Sequence, residues 1–156
     1  NGVAAGAGAN IALACDLCIA AEDAKFIQAF SKIGLIPDSG GTWMLPRLVG
    51  LQRATALAYL GTPVIAAEAA AMGMIHRAFP SEEFVYEVMA LADQLAAMPT
   101  QGLALTKQAF NKAFEQGFSD QLDTELELQG AASRTEDYQE GVAAFLEKRK
   151  PTFAGH

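Results

Sequence analysis

With 156 residues, 51% of them hydrophobic and 19% charged, the chain is long enough for one domain with a real core and is an ordinary globular protein rather than a disordered one. A formal net charge of −7, with only 11 lysines and arginines and one basic cluster at Lys148-Arg149-Lys150, argues against a nucleic-acid partner, because phosphate neutralisation needs clustered cations. No apolar run approaches the roughly 18 residues that span a bilayer, and no basic-then-apolar leader opens the sequence, so a cytoplasmic protein without a membrane partner is expected.

Asn1-Gly2-Val3-Ala4 has neither an initiator Met nor a polar lead-in, and residue 1 is expected to be an internal boundary of a larger domain. Residues 1 to 5 predict the end of a strand, and Gly6-Ala7-Gly8 a tight turn of small residues that lets backbones approach closely. The almost wholly apolar stretch through Ile11, Ala12, Leu13 and Ala14 then predicts a helix buried on most sides and ending near Asp16. Cys15 and Cys18 have the spacing of a redox or metal pair, but no second pair exists and their surroundings are apolar, so buried, unreacted thiols are expected.

Leu17 to Ala20 and Lys25 to Ile27 read as short strands joined by a turn at Glu22-Asp23. Gly34-Leu35-Ile36-Pro37-Asp38-Ser39-Gly40-Gly41 is too rich in Gly, Pro and Ser for a regular element and leads into a helix from Thr42. From Leu51 the chain is predominantly helical, with turns at Gly61-Thr62-Pro63 and Gly73 and a short strand over Met74 to Phe79.

Ser81 followed by Glu82 and Glu83 predicts a helix start, through hydroxyl capping and carboxylates at the positive end of the dipole, and that helix runs to about Ala97. Another begins near Thr100 and carries Leu103, Phe110 and Phe114 on one side; Ser119-Asp120 opens the next, and Tyr138, Val142 and Phe145 repeat at helical spacing in the last. Those stripes are expected to be core or subunit interface. His76, at the start of a strand, is expected to be structural, and His156, at the chain end, free. Neither has a partner pattern for a metal.

The Gly6-Ala7-Gly8 turn can be read three ways. A dinucleotide fingerprint lacks its third glycine and the acidic residue at the end of a second strand. An oxyanion hole would use an unpaired N–H at the helix start to polarise a carbonyl. Tight strand-to-helix packing would need no chemistry at all. The turn alone leaves the last two open.

Three segments in order, Asn1-Gly2-Val3-Ala4-Ala5-Gly6-Ala7-Gly8-Ala9-Asn10 through Asp16, then Ala24-Lys25-Phe26, then Gly34 through Thr42, resemble the enoyl-CoA hydratase/isomerase (crotonase) family. Leu45-Pro46-Arg47-Leu48-Val49-Gly50, the Ala67 to Met74 segment, and Glu140-Gly141 through Arg149 extend the resemblance over the whole chain. It implies an α/β fold: a crotonase-like spiral of ββα turns, of which residues 1–80 would be the C-terminal part, followed by a helical region at 81–156 that assembles homotrimers or hexamers. It also implies that the N-terminal turns, one of two oxyanion donors and much of the CoA-binding surface lie outside this chain, so a complete active site is not expected within it.

Carried over residue by residue, the resemblance makes the Ala7 backbone N–H an oxyanion donor and Asp38 the catalytic base. Hydratases of the family have glutamates at the positions of Asn10 and Phe30, so the pair used to add water is absent. Asp38 stands where hydratases usually carry glycine, and its loop is particularly similar to that of family members that isomerise the ring epoxide of phenylacetyl-CoA. Physically, a single carboxylate that removes a thioester α-proton and returns it elsewhere suffices for isomerisation, whereas hydration must also orient water. Without the resemblance, Asp38 reads better as a turn residue bonding its own backbone.

The implied substrate-binding residues are Asn10, Phe30, Pro37, Trp43, Phe145 and Lys148. Asn10 contacts substrate or ends its amide on neighbouring backbone, with the second favoured. Phe30 narrows the acyl pocket. Trp43 packs beneath the active-site loop or lines that pocket, and packing is favoured. Phe145 and Lys148, at i and i+3 on one helical face, match positions that contact CoA; apart from the resemblance they read as a hydrophobic anchor beside a solvated basic tail. No metal or redox cofactor is implied, since CoA arrives as part of the substrate. The expected function is acyl-CoA isomerisation, with hydration, thioester hydrolysis or an inactive oligomerising fragment as alternatives.

Overall fold

Small and β-branched residues at Val3–Ala5 form β1, and a parallel register pairs Val3, Ala4 and Ala5 with Lys25, Phe26 and Ile27 of β3 (Lys25–Ile27). Between them come helix α1 (Ala7–Leu13) and strand β2 (Ile19–Ala21). The computed structural model describes all 156 residues, and they form two compact units, 1–88 and 89–156. The boundary falls inside a helix rather than at a linker.

In the first unit β3 leads into a short 3-10 helix (Ala29–Ile33), then α2 (Gly41–Val49), α3 (Leu51–Leu60), β4 (Val64–Ile65), α4 (Ala66–Ala71) and β5 (Arg77–Phe79). β4 joins β3 antiparallel to give the order β1-β3-β4, while β2 pairs with β5 in a separate parallel ribbon. The two strands on either side of Glu22-Asp23 therefore belong to different sheets. Gly50 separates α2 from α3 at φ 79°, ψ 156°, a conformation open essentially to glycine alone. Ala9, Leu13, Phe26, Leu45, Val49, Val64, Met74 and Ile75 anchor the core between these layers.

Two expectations change here. α1 is not buried on most sides: Ala9, Asn10 and Leu13 face the core, but Ile11 is exposed. The thiols are not buried together either, since Cys15 is exposed and only Cys18 is half-buried, and that burial pushes the Cys18 thiol above its ordinary pKa. An apolar run does not bury a residue once the helix beneath it has ended.

Helix α5 (Phe84–Ala96) carries the chain from one unit into the other. It starts three residues later than Ser81 predicts, because residues 81–83 form a turn in which the Glu83 N–H donates to the Pro80 carbonyl. In the second unit α6 (Thr100–Ala113) and α7 (Phe118–Ala132) pack together. A polar clasp closes their turn: the Gln116 amide donates to Gln121 Oε1 (2.8 Å) and Thr124 Oγ1 (2.9 Å), and Gln121 donates to the Ala109 carbonyl (3.3 Å).

α8 (Glu136–Glu147) starts on a Thr135 cap, whose hydroxyl accepts the Tyr138 N–H. Its first turns hold the C-terminal tail. The buried Asp137 carboxylate accepts the N–H groups of Ala154 (2.7 Å) and Gly155 (2.9 Å), and the Asp137 N–H donates to the His156 carbonyl (3.0 Å). Glu140 accepts from the two terminal guanidinium nitrogens of Arg149 at 2.6 and 2.7 Å and from the Thr152 N–H at 2.8 Å. The Arg149 hydrogen bonds, then that of Thr152, hold the Glu140 carboxyl down at about 2. His156, expected to be free, is thus tied down through its main chain, and its ring lies 3.4 Å from Glu136. No helix is long and apolar enough to cross a membrane.

Candidate active site

Asp38 occupies the first position of a tight turn. Its carbonyl accepts the Gly41 N–H at 2.8 Å, and the two central residues, Ser39 (φ 49°) and Gly40 (φ 79°), both have positive φ, the pattern of a type I′ turn. Ser39 is one of only two non-glycine residues in the chain at positive φ, a conformation that costs about 1–3 kcal/mol and persists where surrounding contacts over-determine it. Its hydroxyl donates to Asp38 Oδ1 at 3.0 Å, while Oδ2 bonds nothing within the chain. The carboxylate is exposed; the main chain that carries it is locked.

The lock comes from α1. Asn10 is 0% exposed; its Nδ2 donates to the Asp38 carbonyl at 2.9 Å, and its Oδ1 accepts from Gln28 Nε2 at 2.7 Å. Gly41, first residue of α2, lets the Asn10 amide pass so closely that any side chain at 41 would overlap Asn10 Nδ2 and Cγ. Asn10 is therefore not a substrate contact: complete burial and two engaged amide atoms make it a tether for the loop.

Ala7 lies three residues before Asn10, on the same face of α1. It is the first helical residue, so its N–H has no carbonyl one turn back to meet, and the N–H groups of Ala9 and Asn10 take the Gly6 carbonyl. Gly6 turns the chain into the helix at φ 55°, and its own N–H donates to the Ile27 carbonyl at 2.9 Å. A donor able to meet a developing oxyanion and an exposed carboxylate are thus tied to one helix. That pairing can stabilise an enolate while moving a proton.

The whole chain, residues 1–156, matches the enoyl-CoA hydratase/isomerase family model. The chain belongs to this family. It is 52% identical over 155 residues to 1,2-epoxyphenylacetyl-CoA isomerase of Escherichia coli (strain K12), covering 99% of this chain and 59% of that protein. It is 49% identical to the "Probable enoyl-CoA hydratase" of Rhodobacter capsulatus, covering 99% and 60%. A crystal structure of an enoyl-CoA hydratase subunit from Geobacillus kaustophilus HTA426 superposes on all of this chain and 61% of its own, with a TM-score of 0.96 at 38% identity. The fold is accordingly the C-terminal portion of the crotonase spiral, and the chain spans about three-fifths of the length of the relatives it matches.

The remaining residues implied by crotonase membership are scattered. Pro37 is half-buried beside Asp38. Phe30 is 6% exposed, and a Cβ added at Gly6 would lie 3.8 Å from its ring tip, so the ring faces the Gly-rich turn. Trp43 does not pack beneath the loop: it is 46% exposed on α2, with the Arg47 guanidinium 3.2 Å from its ring centroid. In the second unit Phe145 is 82% exposed beside an apolar groove of about 450 Å³ lined also by Tyr138, Val142, Leu146 and Phe153. Lys148 has already left α8, capping it in the left-handed region at φ 55°, so helical spacing does not put it on the face of Phe145.

Two residues bonded to the candidate site escaped sequence reasoning, Gln28 and Ser39. Phe26, Gln28 and Phe30 alternate inward and are all buried, so the period of two running out of β3 was the signal for Gln28. A positive φ at Ser39 had no comparable signal beyond the two glycines that follow it.

Proposed function

We propose that the protein isomerises an acyl-CoA thioester, with Asp38 as proton shuttle and the Ala7 N–H as one oxyanion donor. The observation that carries this reading is the exposed Asp38 carboxylate on a main-chain-locked turn tied to α1, in a chain whose residues 10 and 30 are Asn and Phe. Asp38 takes a proton from carbon; the C–H electron pair moves into the acyl system and charge collects on the thioester oxygen, where an N–H donor meets it. Returning the proton at another carbon completes the shift. The two buried side chains at 10 and 30 supply no carboxylate to orient water.

Identity to a 1,2-epoxyphenylacetyl-CoA isomerase supports the ring epoxide of phenylacetyl-CoA, or an enoyl-CoA, as substrate. The near-equal identity to a hydratase supports hydration as the second reading. Exposed Phe110, Phe114, Phe118 and Leu126 in the helical unit support assembly into homotrimers or hexamers, in which another copy would cover them.

The discriminating assay offers the gene product containing this chain both an enoyl-CoA and the ring epoxide of phenylacetyl-CoA, and follows isomerised and hydrated products by mass. Isomerised product is expected to dominate. Hydrated product forming faster from the enoyl-CoA, with the epoxide untouched, would replace this reading by hydration.

A further inference from the structure

We propose that Gln28 and Asn10 are positioning residues that set Asp38 against the oxyanion turn. This inference rests on the reading of Asp38 as the base. The direction of the relay follows from chemistry alone. A carbonyl can only accept, so the Asn10 amide must present Nδ2 to the Asp38 carbonyl; its Oδ1 then faces Gln28, which must donate through Nε2.

The forced orientation leaves Gln28 Oε1 buried with no partner, although Gln28 is 2% exposed. A buried orphan acceptor is a standing cost, and here it accompanies a bond that ends on the turn carrying Asp38. The adjacent residue completes the device. The Ile27 carbonyl accepts the Gly6 N–H, anchoring the turn that carries Ala7, while Gln28 anchors Asn10 and through it Asp38. One dipeptide at the end of β3 therefore holds both halves of the candidate site in register.

The relay also explains why residue 10 is an amide here. An ionised carboxylate in its place would aim negative oxygen at the Asp38 carbonyl and could not donate, so an ionised acid at 10 opposes this Asp38 turn.

The test uses the gene product in the isomerase assay, with Asn10→Asp, which is isosteric, and Gln28→Leu, each checked for folding by circular dichroism. Asn10→Asp is expected to lower kcat about ten- to hundredfold at pH 8 with KM shifted less than about threefold, as displacement of a base by a fraction of an ångström would do. The loss should shrink as pH falls, because the introduced carboxyl regains a donor when protonated. Neither substitution should lower kcat further in an Asp38→Asn background.

A kcat unchanged in a folded Asn10→Asp protein, or a full additional loss in the Asp38→Asn background, overturns the relay. If Gln28→Leu fails to fold, Asn10→Asp and its pH profile decide alone. Near-normal turnover in Asp38→Asn by itself would instead refute the base assignment, which separates the two failures.

Discussion

Asp38→Asn is expected to reduce isomerase turnover at least about a hundredfold, the scale of a positioned general base. The substitution leaves the turn intact. What ties residue 38 to the fold is its carbonyl, held by Gly41 and Asn10, and an amide side chain can still meet the Ser39 hydroxyl. Stability should therefore change little while kcat collapses, which separates loss of a base from loss of structure. Steady-state kinetics beside a thermal melt of both proteins measures it, and a variant with near-normal turnover would mean that the proton is taken by another group.

Gly41→Ala should damage both stability and activity. A methyl at 41 overlaps the Asn10 amide, whose neighbours leave it nowhere to go: one end is bonded to the Asp38 carbonyl and the other to Gln28. Overpacking of this kind typically costs about 1–3 kcal/mol, and it is relieved only by pulling Asn10 away from the Asp38 turn. Chemical denaturation with the kcat of the surviving folded fraction is the measurement. A Gly41→Ala protein as stable and as active as its parent would show that the Asn10 tether is dispensable.

The sequence shows some layers of this structure and hides others, for physical reasons. Strands β1, β3 and β5 and the helices from Leu51 onward follow from apolar periodicity and from glycine and proline punctuation, which are local properties. The pairing of β2 with β5, across more than fifty residues, and the two-residue β4 depend on tertiary partners that no local pattern names. His156 looked free because it stands at the chain end. The order of the C-terminal tail is imposed by Asp137 and Glu140, carboxylates that on a helical wheel look like an ordinary solvated face.

At the candidate site the loop of Asp38 stood out as irregular, and Gly6-Ala7-Gly8 read as a tight turn before a helix that in fact begins at Ala7; the roles of both residues came only with the resemblance. The resemblance gave Asn10 a substrate contact as its polar task, whereas the residue itself read better as an amide ended on neighbouring backbone. That task proved internal, since only the fold brings residues 10, 28, 38 and 41 together across thirty positions of chain. Trp43 went the other way: a lone tryptophan predicts packing, but the Arg47 one turn later covers its face at the surface instead.

The central claim is that the Asp38 carboxylate faces the carbon next to the thioester, and a crystal structure of the gene product with a non-reactive acyl-CoA analogue tests it most directly. The account predicts an Asp38 oxygen within about 3–3.5 Å of that carbon, with the thioester oxygen on the Ala7 N–H. An acyl group bound with the Asp38 carboxylate turned away into solvent, or with another carboxylate at that carbon, would contradict it.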